Sequence, residues 1–405
     1  MEEASTTSGL GKVIYLDHAA TTPCAPSVVT AMLPFFSDLY GNPANESHSY
    51  GQVARRAVES ARAEVAAMLG ADSGQVVFTS GATETNNLVL WGLVLGQNLI
   101  ANRRDHGRRR ILVSAIEHRS VLQPARLLAG DGLVVDEIPV DAGGIVRLDE
   151  LERLLDEDVL LVALQGANNE VGTIQPVAQA ARLAHDVGAL IHCDAAQLVG
   201  KLPVDVKELC VDFLALTAHK MYGPKGVGAL YVRSGAESSP LRPILAGGGQ
   251  ECGVRSGTSN VPGIVGFGSA AVLSKESLVT EPDRLEALRA RFERDLLDLD
   301  PRVRINSANS PRLPGIASVT VKGADGKALI ESMPGLALAR GSACSTTAAS
   351  ASHVLTALGL SRADALATLR FSLGAGTNAA MLDDVTQMVA AALAPSRLGP
   401  RVSSR

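Results

Sequence analysis

A hydroxyl, an imidazole and a lysine amine lie close together in Leu216-Thr217-Ala-His219-Lys220, after the apolar Val211-Asp-Phe-Leu-Ala-Leu216 and before Met-Tyr-Gly-Pro-Lys-Gly226. At the mouth of a buried strand, these groups suit an aldehyde cofactor that carries a phosphate. Lys220 would form the imine, while Thr217 and His219 would hold the phosphate. Taken alone, a lysine after an apolar strand is more often a solvated strand end. Other segments carry complementary chemistry.

Thr79-Ser-Gly-Ala82-Thr83-Glu-Thr-Asn-Asn87 follows Val76-Val-Phe and opens a helix through Leu88, Leu90 and Trp91. The free amides at that start, with Ala82 among them and the Thr83 hydroxyl beside them, would bind a phosphate at the positive end of the helix dipole. A plain cap-rich helix start has the same composition. His192-Cys-Asp194-Ala-Ala-Gln197 ends another apolar run. Its carboxylate would pair with a protonated pyridine nitrogen and turn the ring into an electron sink, or else it caps a buried helix. Asn168-Asn169-Glu-Val-Gly172 offers an amide to a ring oxygen, or an Asx turn. In Ile116-Glu-His118-Arg-Ser, a flat imidazole would stack on a cofactor ring and shuttle protons.

Toward the C-terminus, Ala339-Arg-Gly-Ser-Ala-Cys344-Ser-Thr-Thr-Ala-Ala-Ser surrounds one thiol with small and hydroxylated residues. Nothing bulky packs such a loop down, so the thiol could meet a substrate and move away with cargo. Thr368-Leu-Arg370-Phe-Ser-Leu-Gly374 places one guanidinium in an apolar strand, which is costly unless a carboxylate meets it. That carboxylate is either an internal aspartate or an amino-acid substrate.

The elements that must position these groups follow from periodicity. Val58, Ala61, Val65, Met68 and Leu69 recur at helical spacing over Val53 to Leu69, and Gly70 ends that helix. Short apolar segments read as buried strands: Val76-Val-Phe, Ile111-Leu-Val, Val159 to Leu164, Leu190 to Cys193, Phe213 to Leu216 and Ala229 to Val232. Strands buried on both faces and alternating with helices predict an α/β fold, a mostly parallel sheet flanked by helices, with functional residues at strand ends. After the Gly-rich Gly247-Gly-Gly-Gln250, a helix carrying Leu285, Leu288, Phe292 and Leu296 begins new architecture, so a boundary is expected near residue 270.

Composition narrows the classes. The 405 residues suit a large domain with a smaller companion, and 46% apolar with 20% charged residues is a globular balance. A formal charge of −5 gives no general affinity for nucleic acid. The basic Arg103-Arg-Asp-His-Gly-Arg-Arg-Arg110 reads as a solvated loop. Five cysteines, Cys24, Cys193, Cys210, Cys252 and Cys344, show neither disulfide nor zinc spacing, which points to a reducing cytoplasm and no metal site. The N-terminal residues lack signal-peptide character, and no apolar run is long enough to span a bilayer, so no membrane association is expected.

In this order, the motifs resemble a cysteine desulfurase of the NifS and IscS type, within the aminotransferase class V superfamily of pyridoxal-phosphate enzymes of fold type I. The likeness runs from Tyr15-Leu-Asp-His-Ala-Ala-Thr-Thr-Pro23 to Leu369-Arg-Phe-Ser-Leu-Gly374. It includes Gly41-Asn-Pro-Ala44, Arg255-Ser-Gly-Thr258 and Gly341-Ser-Ala-Cys344. The resemblance implies a large cofactor-binding domain over 30–270 and a small α+β domain from 1–29 and 271–405 that carries the cysteine loop. It implies that Lys220 holds pyridoxal 5′-phosphate and moves the Cα proton, and that His118 stacks on the ring as acid and base. Asp194 would hold the pyridine nitrogen, with Gln197 and Asn169 at the phenolic oxygen. Thr83, Thr217 and His219 would bind phosphate, with Thr258 supplied by the other subunit of a homodimer. Arg370, helped by Asn42, would fix the carboxylate of L-cysteine. Cys344 would take the sulfur as a persulfide, leave alanine, and pass the sulfur to an acceptor protein.

The spacing between Cys344 and Ser352-His-Val-Leu355 resembles the long-loop group, which delivers sulfur to scaffold or carrier proteins. Two departures stand out: Cys252 occupies the place of the family's arginine after Gly247-Gly-Gly-Gln-Glu251, and the loop reads Ala-Ala-Ser-Ala-Ser352 in place of the common Ser-Leu-Glu-Pro. A selenocysteine lyase shares the Lys220 frame, and a catalytically silent sulfur-transfer subunit is the alternative from another class.

Overall fold

Apolar runs of four or five residues are too short for stable helices, and they form the strands of this chain. The computed structural model describes residues 13–97, 107–340 and 351–394. Its strands are β1 (Ile14–Tyr15), β2 (Val76–Thr79), β3 (Arg110–Ser114), β4 (Val134–Ile138), β5 (Val159–Ala163), β6 (Leu190–Asp194), β7 (Phe213–Thr217), β8 (Gly228–Val232), β9 (Val303–Ile305), β10 (Ile316–Val321), β11 (Leu336–Ala337), β12 (Ala339–Arg340) and β13 (Thr368–Ser372).

Among the described residues, seven strands form a sheet in the order β2-β8-β7-β6-β5-β3-β4. Strand β8 runs against both neighbours and the remaining pairs are parallel, so the expected mostly parallel α/β sheet is present. The pleat sends alternate residues to opposite faces. Val76, Phe78, Val162, Leu214 and Leu216 share one buried cluster with Val58, Ala61 and Val65 of helix Ser49–Met68 and with Ile264 and Phe267 of helix Val261–Ser277. Val77, Leu161, Ala163, Phe213 and Leu230 cluster instead with Leu88 and Leu93 of helix Ala82–Gly96 and with Val121 and Ala125 of helix Arg119–Gly130. The result is three layers, helix, sheet and helix.

Two details differ from the sequence reading. The first long helix begins earlier than Val53, at Ser49, because the His48 imidazole accepts from the Gly51 amide at 3.2 Å and caps it. The edge strand β4, Val-Val-Asp-Glu-Ile, is too polar to read as a buried strand. Its polarity suits an edge, where Arg110 of β3 donates to Asp136 at 2.6 Å. Of the basic stretch, Arg108 is tied down by the carbonyls of Val159 and Val187 at 2.8 and 2.7 Å.

A second sheet, β12-β13-β10-β9, is antiparallel, and Arg370 of β13 lies opposite Ser318 of β10 and Ala339 of β12. Helices Glu281–Leu299 and Ala379–Leu393 cover it with Phe292, Leu296, Val385 and Val389. Strand β1 pairs with β11, and Leu16 is buried in this same core.

Helices Ser49–Met68 and Val261–Ser277 approach so closely that a Cβ on Gly268 would lie 2.7 Å from Ala61 Cα. Gly268→Val should therefore destabilise the protein by roughly 1–3 kcal/mol through overpacking. The measure is a lower urea midpoint at unchanged slope, and a midpoint equal to that of the wild type would mean that the contact can relax freely.

Candidate active site

Chain order in the large sheet reverses beside β3: β4 adds outside it, whereas β6 and β7 extend the sheet from β5 on the other side. Loops leaving the carboxyl ends of the strands diverge at such a point and leave a crevice. A cavity of about 500 Å³ opens there, walled by Ala82, Thr83, His118, Asn169, Asp194, Gln197, Thr217, His219, Lys220 and Arg370. Apart from Arg370, which comes from the middle of β13, residues far apart in sequence meet because each ends or follows a strand or starts a helix at one end of the sheet.

The phosphate-suited side begins at Gly81, whose φ of 149° is a conformation that side-chain-bearing residues rarely adopt. Helix Ala82–Gly96 starts immediately after it, so the first-turn amides, Ala82 and Thr83 included, have no intrahelical acceptor. His219 contacts Thr21 Oγ at 3.1 Å through Nδ1. Burial, helped by Lys220, Lys225 and Lys201, lowers the His219 pKa to about 4, so the ring is neutral. Thr217 donates to the Val227 carbonyl at 3.3 Å.

Lys220 ends the short 3-10 turn Ala218–Lys220 after β7, and its amine donates to the Ala19 carbonyl. Thr22 fastens this turn: its amide and hydroxyl both donate to the His219 carbonyl, and its oxygen accepts from the Tyr222 amide at 2.8 Å. On Asp194, one oxygen accepts from the Ala196 amide at 3.0 Å and the other from Asn86 Nδ2 at 2.7 Å. Gln197 donates to Ala19 O at 2.8 Å and accepts from the buried Lys201 amine. Burial and the charges of Lys220 and Arg370 hold Lys201 well below the usual lysine range. His118 caps helix Arg119–Gly130 by accepting from the Ser120 amide at 3.1 Å, and burial pulls its pKa down against the opposing pull of Asp194.

Arg370 reaches this cavity from the small sheet and is 2% exposed. Its guanidinium donates to Asp17 at 2.6 Å and to the Asn169 carbonyl at 2.8 Å, so an internal aspartate does meet it. Among the described residues, its buried Nε has no partner. Within this chain, Asn42 and Thr258 are exposed and outside the cavity wall. The Asn42 side chain accepts from the Ala44 amide at 3.0 Å. Cys344 lies outside the described residues. Cys252 is exposed, with a thiol pKa raised by burial and by Glu237 and Glu251.

Several site residues escaped the sequence reading: Asp17, Asn86, Ser120, Glu117, Glu170 and Lys201. Most sit inside the motifs already singled out, but nothing in spacing alone marks Asn86 or Glu170 as inward-facing. Lys201 lay four positions after Gln197, a spacing that one helical turn would bring together.

The aminotransferase class-V family profile matches residues 14–385. The chain belongs to that family. Its relatives include a cysteine desulfurase IscS of Anaeromyxobacter sp., 41% identical over 93% of this chain and 91% of the relative. A solved NIFS-like protein superposes with a TM-score of 0.85 at 36% identity, covering 94% of this chain and 98% of that one. A structure titled SspA in complex with cysteine gives a TM-score of 0.78 at 36% identity, over 89% and 98%. These solved relatives share the fold described above.

Glu170, next to Asn169, offers an electrostatic test of the site. Its carboxylate accepts from the Ser352 hydroxyl at 2.5 Å, and burial raises its pKa to about 7. The folded state therefore holds a proton that the unfolded chain loses near 4.5, so stability falls as pH rises from about 4.5 to 7. The shift corresponds to roughly 3 kcal/mol. In Glu170→Gln this slope should flatten and stability at pH 8 should increase; urea titrations across that range measure it, and an unchanged slope would assign the dependence elsewhere.

Proposed function

We propose that this chain is a pyridoxal-phosphate-dependent cysteine desulfurase, and that the observation carrying this reading is the convergence of Lys220, Asp194, His118 and Arg370 on one cavity. The donor set fits the cofactor. A neutral-imidazole and hydroxyl cluster beside free helix-start amides suits its phosphate, a buried carboxylate suits its ring nitrogen, and a lysine amine suits its aldehyde. When bound, pyridoxal phosphate supplies an electron-withdrawing ring that makes the Cα proton of an attached amino acid acidic.

Lys220 would hold the cofactor and move that proton. Asp194 would serve the pyridine nitrogen, Gln197 and Asn169 the phenolic oxygen, and Ala82, Thr83, Thr217 and His219 the phosphate. His118 would stack on the ring and exchange protons. Arg370 would take the substrate carboxylate, and Asn42 would assist. Cys344 attacks the substrate sulfur: the Cβ–S bond of L-cysteine breaks, an S–S bond forms on Cys344, and the carbon skeleton leaves as L-alanine. One cysteine and one thiol thus become one alanine and one persulfide. An acceptor protein then receives the sulfur.

The same reading divides the chain into a large cofactor-binding domain over 30–270 and a small one from 1–29 with 271–405. It takes the enzyme as a homodimer whose second subunit supplies Thr258; the exposed Leu33, Phe36, Tyr40 and Tyr50 support such a contact. The free Cys24, Cys193, Cys210 and Cys252 support a cytoplasmic setting. Among the described residues, no helix is long and apolar enough to cross a membrane.

Mass spectrometry after incubation with L-cysteine tests the assignment. A persulfide should appear on Cys344 and be absent from Cys344→Ser, while Cys252→Ser retains it. Lys220→Ala should lose the cofactor's visible absorption and slow alanine release at least about a hundredfold. Sulfur on Cys252, or faster turnover of selenocysteine than of cysteine, would overturn the reading.

A further inference from the structure

The residues around Asp194 include a fully buried amide to which the proposed chemistry gives no part. Asn86, in the early turns of helix Ala82–Gly96, is 0% exposed. Its Nδ2 donates to Asp194 Oδ2 at 2.7 Å and to Ser120 Oγ at 2.8 Å. Its Oδ1 lies 2.8 Å from His192 Nε2. A carboxylate accepts, so the NH₂ group must face Asp194 and the amide oxygen must face His192, which then donates from Nε2. Burial lowers the His192 pKa to about 4, against the opposing pull of Asp194 and the Phe213 backbone, which keeps that ring neutral.

The second arm reaches the other titrating group of the pocket. Ser120 Oγ accepts from Asn86, so its single proton is available to His118 Nδ1, 2.7 Å away. The Ser120 amide donates to that same nitrogen at 3.1 Å. Two donors aimed at Nδ1 make it an acceptor and leave the proton of the neutral ring on Nε2. One amide therefore uses both its donors and its acceptor on groups that surround the cavity.

We infer that Asn86 is a positioning residue of this site, a single amide that fixes the orientation of the Asp194 carboxylate and, by filling an acceptor position on Ser120 Oγ, turns the Ser120 hydroxyl proton onto His118 Nδ1, where it joins the Ser120 amide. Its functional meaning rests on the cofactor reading above, while the hydrogen-bond chain belongs to the protein alone. Asp194 needs a set direction to meet a ring nitrogen, and His118 needs a well-held Nδ1 to keep its proton on Nε2. The first requirement, and the hydroxyl's share of the second, trace to one side chain in this structure.

Two variants separate the arms. Asn86→Leu keeps the volume and removes every polar contact, whereas Ser120→Ala cuts the His118 arm alone. In cofactor-free protein carrying isotopically labelled histidine, the wild-type His118 signals should be those of an Nε2–H ring whose Nδ1 accepts two hydrogen bonds, and in both variants the Nδ1 resonance should move toward that of a nitrogen held by the Ser120 amide alone. With pyridoxal phosphate added, Asn86→Leu should weaken cofactor binding by about tenfold or more, the scale of losing one buried bond to a charged group. It should also move the pH midpoint of the bound cofactor's visible absorption. Ser120→Ala should keep the cofactor affinity of the wild type and lower kcat at unchanged KM. If the leucine variant does not fold, Asn86→Asp replaces it, since a carboxyl facing Asp194 should weaken cofactor binding in the same way. An unchanged His118 Nδ1 resonance with unchanged cofactor affinity overturns the inference. Wild-type protein that takes up no pyridoxal phosphate overturns the cofactor reading instead, and the histidine signals then decide the inference by themselves.

Discussion

A guanidinium buried in the middle of a β-strand governs how the two sheets of this protein meet. Removing Arg370 from water costs several kcal/mol unless its hydrogens find acceptors, and the acceptors present come from two other parts of the chain: Asp17 in the N-terminal segment and the carbonyl of Asn169 after β5. A shift of β13 by one residue against β10 would turn Arg370 to the opposite face and leave a charge in the apolar core built by Phe292, Val319 and Phe371. The register of the small sheet is thereby coupled to the large one, and the cavity between them has a fixed shape.

Burial does most of the electrostatic tuning inside that cavity. His219, His118 and Lys201 all have lowered pKa values, and in each case desolvation is the leading cause, with neighbouring cations adding to it. A site crowded with basic side chains consequently carries less positive charge than a count of them suggests. Neutral imidazoles can still give and accept hydrogen bonds, and a neutral amine retains a lone pair, so loss of charge leaves chemical versatility intact. Glu117 follows the same rule from the acidic side: burial and the nearby Asp194 push its carboxyl up, while one of its oxygens accepts from the Gln165 amide.

Much of this architecture was legible in the sequence because strands of the central sheet are apolar on both faces and chemistry-bearing residues sit where those strands end. Lys220, Asp194, His118, Asn169 and Thr83 were all found in that way, and all line the cavity. Strand β4 escaped because an edge strand tolerates acidic residues that a central strand would reject. The start of the first long helix escaped because an imidazole served as its cap. Asn86 and Ser120 escaped for a different reason: a polar residue on a helix next to a strand end gives no sign in the sequence of whether it turns inward. Arg370 stands out in the sequence as a misplaced charge, yet the choice between an internal and an external carboxylate depends on the fold, which brings Asp17 to it.

The segment from Leu16 to Thr22 is wedged between the small sheet and the Lys220 turn: Ala19 donates its amide to Ser372 and offers its carbonyl to Lys220 and Gln197. The Ala19 to Ser372 bond joins residues 353 positions apart. During synthesis, therefore, this segment must wait for a strand made 353 positions later before it can settle. A nascent chain carries the lysine, the aspartate and the phosphate-suited helix start long before it has the wall that encloses them, so ordered assembly of the pocket awaits the synthesis of β13.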